Sequence, residues 1–461
     1  MPQGTAVFSG PAYLQRERVV APPGWSRWLV PPAALSIHLA IGSVYSWSVF
    51  KLPLQDTLGV SGVVSALPFT FGIVVLGLSA AIFGTAVDHR GPRWAMTIAT
   101  LCFCSGLLIS AAAAALGQMW LVVVGYGVVG GIGLGIGYIS PVSTLMKWFP
   151  DRPGMATGFA IMGFGGGALI ASPWSSQLME WFGTDRSGLA QTFLTMGVVY
   201  AVFMTLGILL IRTPPPDWKV STVEAHTTSK RTRPAGPDRT AGEAIRTPQF
   251  WLLWVVLCFN VTAGIGILER AAPIYRDDFP DATSPQALAA AAAGFVAVLS
   301  LANSAGRIMW SSLSDVLGRK NMYRIYLGVG ALLYLVVIMI GGTSKPVFLI
   351  ACIVILSFYG AGFATVPAYL RDLFGYKEVG AIHGRLLTAW SVAGVLGPLI
   401  VNAIADNRID AGVVGPQRYT LSFSIMIVLL VVAFVCNELI KTPRPLSPVT
   451  EPQLTPSERR P

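Results

Sequence analysis

The chain has 461 residues, of which 53% are hydrophobic and only 12% are charged, and it carries a formal net charge of +10. Soluble globular domains have about 25% charged residues, so this composition excludes a soluble domain and indicates a chain that lies mostly within a membrane. The positive charge alone would also fit a nucleic-acid-binding protein, so the positions of the basic residues have to decide between the two.

Twelve apolar stretches are long enough to cross a hydrocarbon core of about 30 Å, which takes about 20 helical residues. They lie near 28–50, 64–87, 94–117, 119–146, 156–179, 190–212, 249–269, 287–312, 323–343, 346–370, 380–405 and 419–440. Residues 1–27 contain several charges and prolines but no apolar core, so they are predicted to be a cytoplasmic tail and not a cleavable signal peptide. The sequence therefore predicts an all-α integral membrane protein with twelve transmembrane helices.

The basic residues are distributed unevenly between the two sides of the membrane. If the N-terminus is cytoplasmic, most of the 32 Lys and Arg residues fall in the cytoplasmic tails and loops. Such an excess is the usual signature of cytoplasmic loops. It predicts a multi-pass protein of the plasma membrane with both termini in the cytoplasm. It also assigns the positive charge to topology and to contact with the lipid bilayer, so no nucleic-acid partner is expected.

The longest polar interruption, 213–246, divides the twelve stretches into two sets of six. Its Pro, Thr and charge content is typical of a flexible loop. The predicted organisation is thus a six-helix half over 28–212, a cytoplasmic central loop, and a second six-helix half over 247–441. The proline-rich tail 442–461 is predicted to be disordered and cytoplasmic.

The two halves carry the same short pattern after their second stretch. "GTAVDHRGPR" and "SSLSDVLGRK" both contain Asp-x-x-Gly followed by basic residues. The glycine permits a tight turn at a helix end, and an Asp opposite basic side chains can hold neighbouring helices together. We therefore expect a latch on the cytoplasmic side that closes when the protein is open to the outside. Its predicted residues are Asp88, Gly91, Arg93, Asp315, Gly318 and Arg319.

This repeated signature resembles that of the major facilitator superfamily, and the resemblance covers all twelve stretches. Four segments give a narrower resemblance, to the oxalate/formate antiporter family, which is related to the monocarboxylate transporters. They are "IGSVYSWSVF", "MKWFPDRPGMATGFAIMGFGGGA", "RTPQFWLLW" and "GRIMWSSLSDVLGRK". The resemblance implies two pseudo-symmetric six-helix bundles, a substrate path between them near the bilayer midplane, and secondary active transport by alternating access.

Arg307 lies well inside the eighth apolar stretch, where an ionised side chain costs at least about 2.5–3.5 kcal/mol and commonly marks a substrate pathway. The alternative is that Arg307 extends to the interface near Asp315, about 12 Å along the helix, which exceeds its reach. The related transporters carry a substrate-binding arginine at this position. A guanidinium can hold a carboxylate with two parallel hydrogen bonds, so the resemblance implies a small carboxylate anion as substrate.

Oxalate carriers place a lysine in the eleventh stretch, where this chain has Trp390. One buried cation balances one carboxylate, whereas a dianion would keep an uncompensated charge in a low dielectric. The sequence therefore predicts a monocarboxylate similar to pyruvate, lactate or formate. A dicarboxylate antiporter of the oxalate type, a carboxylate-binding sensor without flux, and a drug exporter of the same fold remain alternatives.

Aromatic residues are expected to form the walls of this site. By resemblance to the family, Tyr45, Tyr138, Tyr359 and Phe363 fall at pocket positions and join Trp390, although packing or interface anchoring would explain each of them as well. Asn303 precedes Arg307 by four residues, so it shares a helix face and can orient the guanidinium. An ordinary interhelical hydrogen bond is the alternative for Asn303.

Movement of a monocarboxylate without net charge requires a co-transported proton or an exchanged anion. Two candidates for proton coupling are His38 in the first stretch and Glu269 at the end of the seventh. A packing role for His38 and a local pair of Glu269 with Arg270 are the alternatives, and His383 is expected to be interfacial.

The remaining patterns argue against catalysis and in favour of close helix packing. The apolar stretches contain no clustered His, Cys, Asp or Glu at catalytic or metal-ligand spacing, so neither an enzyme nor a cofactor or metal is predicted. "GYGVVGGIGLGIG" is not a nucleotide loop, because no Lys-Ser follows it. Its Gly127, Gly131 and Gly135, like Gly163 and Gly167, instead place small residues on one helix face.

Overall fold

The computed structural model describes residues 11–216, 218–219, 235–280 and 284–441. Within these residues, 12 helices are long and apolar enough to cross a membrane. We label them α1 to α12: Arg27–Ser46, Gly62–Arg90, Pro92–Leu116, Met119–Trp148, Pro153–Phe182, Arg186–Leu210, Pro248–Leu268, Ala291–Leu317, Arg319–Gly341, Lys345–Phe374, Val379–Asp410 and Thr420–Leu439. The prediction of an all-α, multi-pass membrane protein is confirmed. The tail 442–461, the first ten residues and much of the central loop lie outside the described residues.

Two helix ends differ from the predicted stretches. The first stretch was expected to reach residue 50, but a tight 3₁₀ turn closes α1, and a separate short helix follows over Ser48–Leu58. The helix that contains α7 continues beyond the apolar part to Asp278, with a non-helical backbone at Arg270 (φ −112°, ψ 17°). An apolar pattern marks the part of a helix that faces hydrocarbon, so it does not report where the backbone hydrogen bonding stops.

Side-chain caps and prolines define where several of the helices begin. The first helical position is commonly a proline, as at Pro92, Pro153 and Pro248, because the first amide has no partner within the helix. Side-chain oxygens of the preceding residue accept a hydrogen bond from the first turn of α2, α6, α7 and the helix that contains α8; these residues are Ser61, Asp185, Thr247 and Ser284. Such caps satisfy amides that would otherwise be unpaired at the membrane surface.

The helices form two bundles, α1–α6 and α7–α12, with the start of α1 and the end of α12 on one side, here called the termini side. The bundles meet through equivalent helices: α5 packs against α8 and α10, and α2 packs against α11. Large apolar side chains such as Ile82, Leu101 and Val428 are exposed on the outer surface, where lipid would cover them. The space between the bundles is therefore where polar side chains can be held away from lipid.

Glycines bring helices of the first bundle into close contact. A Cβ atom at Gly135 of α4 would lie 2.2 Å from the Leu76 carbonyl oxygen of α2, and one at Gly167 of α5 would lie 2.5 Å from the Gly42 carbonyl carbon of α1. No side chain larger than hydrogen fits at such distances. The predicted small-residue faces are thus the surfaces on which these helices pack.

The last part of the central loop is anchored, although its composition predicts flexibility. The Gly236 amide donates to the Arg371 carbonyl (3.1 Å), and the Asp238 carboxylate accepts from the Tyr376 amide (2.7 Å). A short helix over Ala241–Ala244 follows, with a reciprocal cap between Thr240 and Glu243. Hydrogen bonds to the end of α10 and to the connection between α10 and α11 therefore override the compositional tendency in this segment.

Candidate functional site

Arg307 lies in the middle of α8 and faces the first bundle. Its side chain is 0% exposed. Nε donates to Asn303 Oδ1 (3.2 Å) on the same helix, and Nη1 donates to the Ile161 carbonyl (3.0 Å) of α5 in the opposite bundle. This geometry excludes the alternative in which Arg307 extends to the membrane surface.

The guanidinium of Arg307 is incompletely satisfied. Nη2 has no hydrogen-bond partner among the described residues. The hydrogen bonds that Arg307 does make go to neutral oxygens, and the Phe363 ring centroid lies 5.5 Å from its Cζ. A cation–π contact lowers the cost of a buried cation without neutralising it. Because an uncompensated buried charge costs several kcal/mol, an anion that binds Nη2 would gain strongly from this position.

The five aromatic residues predicted for the site are brought together next to Arg307. Phe363 packs on Trp390 with 4.6 Å between ring centroids, and Tyr138 packs on Trp390 at 5.4 Å. The Tyr45 and Tyr359 hydroxyls, from opposite bundles, lie 3.4 Å apart. These contacts join α1, α4, α10 and α11, so the aromatic cluster spans the interface between the bundles.

Two of these aromatic residues present unused polar atoms. Tyr138 Oη and Trp390 Nε1 are buried and form no hydrogen bond within the part of the chain that the structure describes. Together with Arg307 Nη2 they make three unpaired groups that can donate a hydrogen bond. Native interiors leave few polar atoms unpaired, so three in one cluster indicate a place for a hydrogen-bond acceptor.

A cavity of about 170 Å³ lies beside this cluster, in the half of the molecule away from the termini. Tyr45, Gly165 and Asn303 border it on the Arg307 side, and Lys51 of the short helix Ser48–Leu58 borders it farther out. One water molecule occupies about 30 Å³ in the liquid. The cavity therefore has room for a small organic anion with part of its hydration shell.

Phe164 and Gly165 of α5 belong to the site but were missed from the sequence. The Phe164 ring lies 5.3 Å from both Tyr45 and Trp390. A Cβ atom at Gly165 would lie 2.8 Å from Arg307 Nε, so the absence of a side chain makes room for the guanidinium. The only signal was an aromatic residue within the glycine-rich segment "MGFGGGA", which was interpreted as helix packing.

Of the titratable residues considered from the sequence, His383 is the one that the structure places elsewhere than expected. His38 lies in the core, where its ring contacts Tyr138 and Nε2 lies 3.1 Å from the Tyr138 carbonyl oxygen. His383, expected at the interface, is only 1% exposed because the start of α11 is covered by α2. The Glu269 side chain lies outside the described residues, and Arg270 binds Asn402 and Asp406 of α11.

The second Asp-x-x-Gly motif connects the two bundles on the termini side. The Asp315 carboxylate at the end of α8 accepts from the Gly154 and Met155 amides (2.9 and 3.0 Å) at the start of α5. Arg319 pairs with Asp315 and also lies 3.5 Å from Asp372. A carboxylate at a helix N-terminus is favoured because it binds unpaired amides and opposes the helix dipole.

The first motif makes a related but weaker contact. Asp88 Oδ2 at the end of α2 accepts from the Ala381 amide (2.8 Å) at the start of α11, while its Oδ1 is buried without a partner in the described residues. Arg93 donates to the Tyr13 and Ile211 carbonyls, so it does not repeat the pairing of Arg319.

Both motif glycines have the backbone angles that the turn requires, with φ of 91° at Gly91 and 87° at Gly318. Positive φ of this kind is readily adopted only by glycine. The glycines end each helix three residues after the Asp, which leaves the carboxylates in the last turn. In this structure the termini side is thus joined by both motifs, while the cavity lies on the other side.

Comparison with known proteins identifies this architecture. The sequence matches the Major Facilitator Superfamily over residues 33–398 and 289–460. The chain belongs to this superfamily. Its fold is also that of the transporter FucP in the outward conformation, with a TM-score of 0.65 at 15% identity, over 91% of this chain and 100% of that one. The protein is therefore a multi-pass membrane transporter of the superfamily and not an enzyme.

Two relatives cover most of the chain. It is 28% identical to the uncharacterized MFS-type transporter YhjX of Escherichia coli, over 80% of this chain and 86% of that protein. It is 27% identical to the oxalate:formate antiporter of Oxalobacter formigenes, over 83% of this chain and 86% of that protein. The resemblance to the oxalate/formate antiporter family that the sequence motifs indicated is confirmed.

Proposed function

We propose that this superfamily member is a secondary active transporter that carries a small monocarboxylate, similar to pyruvate, lactate or formate, between the two sides of the plasma membrane by alternating access. The observation that carries the proposal is the buried Arg307, whose Nη2 is unpaired within the described residues, as are the nearby donors of Tyr138 and Trp390. A carboxylate offers two acceptor oxygens and one negative charge. A bound carboxylate would accept from the unpaired donors and neutralise the Arg307 charge at the same time.

The charges around the cluster favour a monoanion. Arg307 is the cation at the centre, and Trp390 occupies the place where the resemblance to oxalate carriers would put a second one. A dianion held there would keep one charge uncompensated in a medium of low dielectric constant. The site therefore favours one carboxylate attached to a small uncharged group, which the aromatic rings can contact.

A second candidate, a dicarboxylate antiporter, is favoured by two observations. One is the similarity to the Oxalobacter formigenes antiporter. The other is Lys51, which borders the same cavity as Tyr45 and Asn303. Lys51 belongs to a different helix, outward of Arg307, so under the leading proposal it attracts anions to the cavity and does not bind their second carboxylate.

The transport cycle follows from the two sides of the molecule. Asp88 and Asp315 hold the bundles together on the termini side, while the cavity on the other side admits the substrate. Release requires these contacts to break and the opposite side to close. With the termini in the cytoplasm, as the distribution of basic residues predicts, the state described here is open to the outside.

The test is counterflow of labelled substrate in proteoliposomes, in which unlabelled acid inside drives uptake without an ion gradient. Labelled pyruvate, lactate, formate and oxalate would be compared for the intact protein, Arg307→Gln, and the control Arg324→Gln. Arg324 is 45% exposed and pairs with Glu438 at the surface, so its loss should change little. Loss of a buried charge partner costs about 3 kcal/mol, so Arg307→Gln should reduce counterflow about a hundredfold.

Each result leads to a different conclusion. Unchanged counterflow in Arg307→Gln would remove Arg307 from the substrate site. Preference for oxalate over the monocarboxylates would favour the dicarboxylate antiporter. Binding of a monocarboxylate without any flux would indicate that the protein is a sensor with the fold of a transporter.

A further inference from the structure

His383 is a buried polar residue that the binding of a carboxylate does not use. It lies on the second turn of α11, and neither Nδ1 nor Nε2 has a hydrogen-bond partner within the described ranges. The Tyr138 ring of the opposite bundle lies 5.8 Å away, and Tyr138 in turn contacts His38 on its other side (5.5 Å between centroids). Two imidazoles thus flank one tyrosine at the interface between the bundles.

The unpaired ring of His383 is costly for a residue with only a packing role. A buried polar atom without a partner costs about 1–3 kcal/mol, and a leucine or phenylalanine would fill similar space without that cost. A neutral imidazole has one nitrogen that accepts a proton and one that donates, so it can take up and release a proton. Its position, nearer the termini side than Arg307, lies between the substrate cluster and the side that has to open for release.

We propose that His383 carries the proton that crosses the membrane together with the carboxylate, which makes the protein a proton symporter. The proton binds a ring nitrogen of His383, next to the Tyr138 ring, while the carboxylate occupies the substrate cluster. It leaves to the termini side when the bundles separate there. This inference rests on the proposed function, because it assigns the ion that is coupled to the same substrate site.

Positive charges near His383 explain why the proton would need the substrate. A charge on His38 acts on His383, and the Arg307 charge acts on both His38 and Tyr138. Arg385 follows two residues later on α11, with a buried and unpaired Nη1. An imidazolium in these surroundings is disfavoured, because it adds a further positive charge in a low dielectric.

The other charged groups on neighbouring elements are engaged elsewhere. Asp88 of α2 accepts from the Ala381 amide two residues before His383, and Lys147 of α4 acts on Asp88. The remaining groups have partners of their own: buried Arg371 binds Asp372, Glu378 binds the Ala241 amide and lies 3.8 Å from His89, Glu243 binds Thr240, and Tyr359 binds Tyr45. Asp88 is thus an acidic group that contacts the first turn of α11, two residues before His383.

A carboxylate bound to Arg307 changes this balance. It neutralises the guanidinium, so a proton on His383 no longer adds to an uncompensated positive charge. By linkage, a proton on His383 strengthens carboxylate binding by the same factor by which the bound carboxylate strengthens proton binding. Binding of the proton and the carboxylate together is favoured over binding of either one alone. This couples the two fluxes and limits proton leak through the protein without substrate.

The experiment uses proteoliposomes with a pH-sensitive dye inside and the membrane potential held at zero. In the intact protein, pyruvate uptake should acidify the lumen with one proton per pyruvate, and an inward gradient of about one pH unit should give about tenfold accumulation. His383→Gln should retain counterflow, weakened because a proton no longer strengthens carboxylate binding, but should lose both accumulation and acidification. His89→Gln is the matched control, because His89 is 64% exposed at the end of α2, and it should behave as the intact protein.

The outcomes separate this inference from the proposed function. Gradient-driven accumulation that persists in His383→Gln would overturn the role of His383. Counterflow by the intact protein without proton movement would overturn symport and leave the transporter as an anion exchanger. No counterflow of any monocarboxylate by the intact protein would overturn the proposed function and this inference with it. The proton-to-pyruvate ratio is measured on the intact protein. It therefore tests symport even if the His383→Gln protein fails to fold.

Discussion

The centre of the bundle interface and its termini side differ in how their polar groups are satisfied. On the termini side, the Asp315 carboxylate is satisfied by two backbone amides and Arg319, although Arg319 Nε and Asp88 Oδ1 have no hydrogen-bond partner within the described residues. At the centre, Arg307, Tyr138 and Trp390 each keep an unpaired donor within the described residues. Satisfied groups stabilise the arrangement that contains them, whereas unpaired buried groups gain free energy only when something else binds. Under the proposed function, the first region would therefore select a conformation, and the second would select a ligand.

The largest effect that distinguishes the two motifs is expected from replacing their carboxylates one at a time. Asp315→Asn loses the ion pair with Arg319 and weakens two amide contacts, so it should favour opening on the termini side by about 2 kcal/mol, about thirtyfold in population. Asp88→Asn should have a much smaller effect, because Asp88 accepts one amide bond and already buries an unpaired oxygen.

Hydrogen exchange measured by mass spectrometry would compare the two variants. The Gly154 and Met155 amides report on Asp315, and the Ala381 amide reports on Asp88. Equal acceleration of exchange in both variants would show that the two motifs contribute equally, contrary to the difference seen here.

A smaller effect, at the centre, is expected from Gly165→Ala. The new Cβ would lie 2.8 Å from Arg307 Nε, so the guanidinium has to move by several tenths of an ångström. Such a displacement of a binding group should raise the KM of counterflow about tenfold. Gly166→Ala is the matched control, because its Cβ would meet nothing closer than 3.8 Å. Similar KM values for the two variants would show that substrate binding does not depend on the position of Arg307.

The smallest expected effect, and the one that best separates ligand binding from stability, is that of Tyr138→Phe. The Tyr138 hydroxyl is buried and unpaired, so its removal should leave thermal stability unchanged or raise it by about 1 kcal/mol. If the hydroxyl donates to the carboxylate, the same change should weaken binding about fivefold. A thermal unfolding curve and a binding titration on one preparation would measure both, and a loss of stability without loss of affinity would assign Tyr138 to packing.

Much of the fold could be predicted because membrane burial has a strong signature in sequence. Each spanning helix needs a long apolar stretch, so all twelve were found, and the repeated Asp-x-x-Gly motif located the equivalent turns of the two halves. Arg307 was found for the same reason, since a charge within an apolar stretch is conspicuous. The surrounding aromatic residues were assigned by resemblance to a family. The chain has so many aromatic residues that composition alone would not have singled these out.

What the sequence could not decide was which helix faces meet across the interface. His383 is near the end of an apolar stretch, and such residues are commonly interfacial, yet packing of α2 over α11 buries it. Gly165 appeared to be one of several packing glycines, and only its distance from Arg307 reveals its part in the site.

The sequence by itself determined the membrane location, the twelve helices, the division into two halves and the presence of a buried cation, because each of these depends on local hydrophobicity or on spacing along the chain. Only the tertiary structure decided which donors stay unpaired, which carboxylate binds two amides and which binds one, and that His383 and Tyr138 lie side by side. These properties depend on atoms from helices that are distant in sequence, and their positions follow from packing between the bundles.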